Sequence, residues 1–171
     1  MQIIEILKEK KTSILRRWRD QIVDTYPKDS RAFFKNQKDR FANPVGHLIE
    51  RTTEEVFQTV VADDMPVLTT SLEEFIKVRS VQELSPAQAI GFVLKFKDAV
   101  RAELKEDIEA KELHHELHNI ETRIDKMTLI VFDSYCNARE TLFQIKIREI
   151  KSQTYTIMNA KPLEPSDSGG G

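Results

Sequence analysis

From position 108 to position 158 the sequence contains neither proline nor glycine, and this run limits what the chain can become. Its apolar residues Ile120, Ile124, Met127, Val131, Ala138, Leu142 and Ile145 recur at spacings near three, four and seven, the period of one helix face. An unbroken helix of that span would be roughly 75 Å long, more than a single small domain is wide. Either it breaks within residues 111–118, or its far end projects and buries its stripe only against a partner chain, as coiled-coil linkers do.

The rest of the chain is helical in pattern too. Ile4, Leu7, Leu15, Trp18, Ile22 and Val23 form one apolar stripe that stops at Tyr26-Pro27, because a residue before proline is pushed out of the helical region. A polar connector over residues 28–39 follows, with Phe33 and Phe34 as anchors onto the core. Asn43-Pro44 is a start signal, a capping side chain followed by a proline whose missing N–H costs nothing in the first turn, and predicts a helix over 44–61. Asp63, Asp64 and Pro66 break it, and Ser71 with Glu74 reads as a capping box for the next helix. Ser85-Pro86 repeats the cap-and-proline signature and opens the most apolar helix, which carries Phe92, Val93, Leu94 and Phe96. Residues 161–171, with two prolines and a triple glycine, read as a disordered tail behind a single domain over 1–160.

Composition excludes several functions. Twenty-six basic against 28 acidic residues leave a net charge of −2, no footprint for a nucleic-acid backbone. The longest apolar stretch, 127–132, falls far short of the ~20 residues of a membrane span. Cys136 is the only cysteine and no secretory leader opens the chain, so a reducing cytoplasmic setting is expected.

Three segments carry a family resemblance: Phe41-Ala42-Asn43-Pro44-Val45-Gly46, Arg79-Ser80-Val81-Gln82-Glu83-Leu84-Ser85-Pro86-Ala87-Gln88-Ala89, and Phe132-Asp133-Ser134-Tyr135-Cys136-Asn137-Ala138-Arg139-Glu140. With Trp18 and Tyr26-Pro27, over about residues 14–150, they resemble the N-terminal domain of RsbR-type RsbT co-antagonists. The resemblance implies a bacterial stress-signalling input domain with a globin-like helical fold, no haem, a homodimeric state and an output passed through the last helix. No output module follows Met158, so a stand-alone copy would act through a signalling partner protein.

The candidate site is a polar cluster of Arg79, Gln82, Lys97, Arg101, Asp133, Tyr135 and Arg139. Asp133 interrupts the most apolar stretch, and a buried carboxylate needs a cation, for which Lys97, Arg101 and Arg79 are the candidates. Such a cluster is either a pocket for an anionic ligand or, as structural networks more often are, a closed ion pair. His114 and His118 share a helix face, but the run lacks the zinc-protease spacing, and a solvated face is the plainer reading. His47 is the one histidine placed for a haem, and a half-buried side chain is its ordinary role. Cys136, expected among apolar neighbours, is not an activated nucleophile, and Gly46 and Gly91 are isolated within helices and build no phosphate loop.

These readings combine into an all-α bundle of roughly five or six helices with a long C-terminal helix, globin-like as the resemblance implies. Its expected role is a non-catalytic sensory or regulatory domain, homodimeric, with no cofactor, nucleic acid or membrane partner. The rivals are a small-molecule or haem carrier, which colour would reveal, and a structural accessory subunit with an exposed apolar stripe over residues 142–157.

Overall fold

A computed structural model describes residues 2–36, 39, 41–62 and 68–159. The expected breaker residues Asp63, Asp64 and Pro66, and the expected tail, lie outside the described residues. The architecture is all-α, with eight helices and no strand among the described residues: α1 (Gln2–Glu9), α2 (Lys11–Val23), α3 (Lys28–Asn36), α4 (Pro44–Ala62), α5 (Thr70–Val81), α6 (Pro86–Ile90), α7 (Phe92–Lys111) and α8 (His114–Asn159).

Three local events raise the count above five or six. Lys10, at φ −92° and ψ 9°, kinks the first stripe into α1 and α2 while the helical hydrogen bonds run on around it. The polar connector folds into α3, where Phe34 packs edge-on against Tyr26 at 5.0 Å while Phe33 stays 45% exposed, so only one of the two anchors holds. Gly91 separates α6 from α7.

The caps explain the boundaries. Asn43 Oδ1 accepts from the Gly46 N–H at 2.9 Å, and its Nδ2 donates to the Phe34 carbonyl at 3.0 Å, tying the start of α4 to α3. A β-carbon at Gly46 would come within 2.2 Å of that amide, so the cap itself demands a glycine. The capping box expected at Ser71 is not formed. Thr69 caps α5 through the Leu72 N–H, while the buried Ser71 hydroxyl donates to Glu55 on α4. Ser85 and Gln88 do form the reciprocal box that starts α6.

α7 is the central element. Phe92, Val93, Phe96, Ala99, Val100, Leu104 and Ile108 are all buried, although Leu94 faces out at 45% exposure. Trp18 stacks on Phe96 with centroids 4.5 Å apart, and Phe75 meets Phe92 edge-on at 5.0 Å, so α2 and α5 both key into α7. α7 ends at Glu112, in the left-handed region at φ 53°, where the Leu113 N–H returns to the Ile108 carbonyl at 3.1 Å. The long run therefore breaks inside residues 111–118.

By compactness the chain divides into two units, Met1–Ala138 and Arg139–Gly171. In the first, α8 buries Leu117, Ile120, Ile124, Met127, Val131 and Tyr135. In the second, the described part is helix through Asn159, with Leu142 half-buried and Ile145 exposed. Among the described residues no helix is long and apolar enough to cross a membrane.

Candidate functional site

Among the described residues of the first unit Arg79 is the most deeply buried cation, 1% exposed near the end of α5. Its guanidinium donates to the Gln88 carbonyl at 2.8 Å, the Ala89 carbonyl at 3.3 Å and the Thr25 hydroxyl at 3.1 Å. Gln88 and Ala89 end α6, where helix carbonyls run out of donors from their own helix. The faces of Tyr26 and Phe75, 5.3 and 5.7 Å from the guanidinium carbon, complete the cage. Among the described residues Arg79 forms no ion pair with a carboxylate, so its role is to cap carbonyls.

The sequence placed Asp133 opposite the buried cations, and the structure corrects this. Asp133 is exposed and, among the described residues, makes no hydrogen bond or ion pair. Lys97 bonds Asp125 at 2.8 and 3.0 Å, and Arg101 holds Glu121 through Nε and, at 3.0 Å, through Nη2. Moving four residues along α7 moves the partner four residues back along α8, the register of antiparallel neighbours. In that register Asp133 falls opposite Ala89, before α7 begins at Phe92. The expected type of ion pair is present, with its acids two to three turns nearer the α7–α8 turn. The Glu121 carboxylate, bonded to Arg101, holds that guanidinium's proton above its ordinary range.

The remaining candidates scatter. Gln82 follows α5, and its side-chain oxygen is shielded without a donor among the described residues. Tyr135 is buried at the last turn of the α8 stripe in the first unit. Arg139 belongs to the second unit, where its guanidinium lies 5.4 Å from the Phe143 ring centre. Cys136, expected among apolar neighbours, is exposed, because it lies one position past the buried Tyr135 and so off the inward face. His114 and His118 are both exposed, and among the described residues no group of three metal-ligating side chains is found.

The exposed apolar stripe considered over residues 142–157 is present in the second unit, but through other residues than Leu142. Phe143, Ile147, Ile150 and Ile157, at spacings of four, three and seven, are 54, 42, 62 and 75% exposed. The stripe read from the sequence followed Leu142 and Ile145. The heptad spacing through Phe143 was the signal available, and the longer run of Ile120, Ile124 and Met127 obscured it.

A family model described as the RsbT co-antagonist protein rsbRD N-terminal domain matches residues 12–150. The chain belongs to this family. Comparisons with curated proteins and with solved structures found no match. Membership of the RsbRD N-terminal domain family supports a stressosome-type regulatory input domain. The match runs from the start of α2 into the second unit, so it takes in the Arg79 cage, the α7–α8 ion pairs and Phe143.

Proposed function

We propose that this RsbRD N-terminal domain is a sensory or regulatory input module that homodimerises through the second-unit stretch of α8 and hands that helix to a signalling partner. The observation that carries the reading is the exposed set Phe143, Ile147, Ile150 and Ile157 at heptad-like spacing. Helices in proteins gain most of their stability from packing an apolar face, and burying this stripe against a second copy supplies that packing. In this reading Lys97 and Arg101 tie α8 to α7 and Arg79 caps the end of α6, so Arg79, Gln82, Lys97, Arg101, Asp133, Tyr135 and Arg139 do not act as one ligand pocket. Membership of the family is what supports a cytoplasmic bacterial setting in this reading.

Hydrogen exchange on the full chain at high and low micromolar concentration tests this. Amides of residues 143–157 should be protected at high concentration and exchange freely on dilution, while those of α7 stay unchanged. Concentration-independent exchange over 143–157 would refute the dimer interface.

A further inference from the structure

A cleft of about 340 Å³ opens between α2, α3 and α4, wholly inside the first unit and away from the polar candidates above. This volume lies at the small end of the range for small-molecule sites, roughly 300–1,000 Å³. Val23, Phe34 and Ile49 supply its apolar lining, and Arg16, Arg19 and Lys35 its cations. Two carboxylates, Asp20 and Glu50, also line it, so the charged lining carries one positive charge in excess.

The cations differ in how far they are already engaged. Lys35 is held by Asp20 at 2.9 Å. Arg19 donates to the Thr53 hydroxyl at 2.7 Å and the Glu50 carbonyl at 3.1 Å, with Glu54 at 3.9 Å, which leaves several of its five N–H groups unused. Burial lowers the pKa of Arg19, ahead of the opposing pull of Glu50 and Glu54, so this guanidinium is partly desolvated and an added anion would gain more there than on open surface. Arg16 is exposed and makes no hydrogen bond or salt bridge among the described residues.

We propose that this cleft binds a small monocarboxylate with an aliphatic body, the head held by Arg16 and Arg19 and the body laid on Val23, Phe34 and Ile49. The single excess positive charge matches one carboxylate, and the modest volume suits a short chain. The absence of a side chain at Gly46, which the Asn43 cap requires, leaves the α4 wall of the cleft low. The site stands independently of dimerisation, because it is read on α2, α3 and α4 whereas the dimer is read on the second unit.

The test is an NMR titration of the full-length chain with hexanoate, with hexylammonium as the charge-reversed control and inorganic phosphate as the anion without a body. Hexanoate should shift the Val23, Lys35 and Gly46 amides saturably, and both controls should bind at least about tenfold more weakly. Arg16→Glu, a change at an exposed and unbonded side chain, should keep the helical circular dichroism and weaken hexanoate about tenfold. No saturable shift with hexanoate, an equal response to hexylammonium, or unchanged affinity in the Arg16→Glu variant would each overturn the proposal.

Discussion

Trp18 and Arg79 donate to backbone carbonyls on the two sides of the Gly91 break. Arg79 reaches Gln88 at 2.8 Å and Ala89 at 3.3 Å before it, and the Trp18 indole N–H reaches Phe92 at 2.7 Å after it. One side chain comes from α5 and the other from α2, so the bend between α6 and α7 is held by two elements that are distant in sequence. The end of α6 frees carbonyls, and burying them without donors would cost about 1–3 kcal/mol each. Arg79 removes that cost, and together with the Trp18 bond it fixes the direction in which α7, the centre of the core, sets out.

Arg79→Met keeps much of the side-chain volume and deletes the donors. It should lower unfolding stability by about 2–3 kcal/mol in urea titrations, because one buried and one part-buried carbonyl lose their partner. Arg79→Lys should recover only part of this, since one ammonium cannot reproduce the guanidinium fork. Asp133→Ala, at an exposed and unpaired carboxylate, should stay within about 0.5 kcal/mol of the parent. A large loss at Asp133 with a small one at Arg79 would reverse this assignment.

Much of the architecture was legible where a capping residue and a proline coincide. Asn43-Pro44 and Ser85-Pro86 both start helices as read, because their signals are local and depend on nothing distant. Thr69 displaced Ser71 as a cap because Glu55, sixteen positions earlier, claims the Ser71 hydroxyl, a contact no local window contains. The acids opposite Lys97 and Arg101 were misplaced for a similar reason. Their register depends on where α7 ends, and that end falls on Glu112, a residue with no turn signature. For the candidate site, the residue types were legible and their partners were not. Arg79 was singled out, but the carbonyls it serves exist only because Gly91 interrupts the helix.

The Glu112 turn makes a prediction of its own. A non-glycine residue at φ 53° bears a steric penalty that glycine avoids, and this position follows the last residue of α7, where glycine is the usual choice. Glu112→Gly should therefore raise stability by about 0.5–1 kcal/mol, against the loss glycine usually causes in a helix. Thermal unfolding of the two proteins decides it, and a lowered midpoint would show that the left-handed turn is not what limits this junction.

Acid should loosen the attachment of the first two helices to α7. Hydrogen bonding from Arg17 holds the Glu103 carboxyl below its ordinary 4.5, and bonding from Lys10 holds Asp107 below its ordinary 3.8. A carboxyl with a depressed folded-state pKa contributes stability that is fully present above its unfolded value and is lost as pH falls through the folded one. Stability at pH 5 to 7 should thus be flat with respect to these groups and decline below about pH 4.5. In the Glu103→Gln variant the decline should be shallower. An identical acid limb in both proteins would count against the Arg17–Glu103 contribution.

The central claim is that the second-unit stretch of α8 joins two copies, and light scattering after gel filtration measures it most directly. The full chain should elute at twice its 19.8 kDa mass. The double variant Phe143→Glu, Ile150→Glu, altered only at exposed positions, should elute at the single-chain mass with its helical circular dichroism intact. A parent chain that stays monomeric at tens of micromolar, or a charged variant that remains a dimer, would contradict the account.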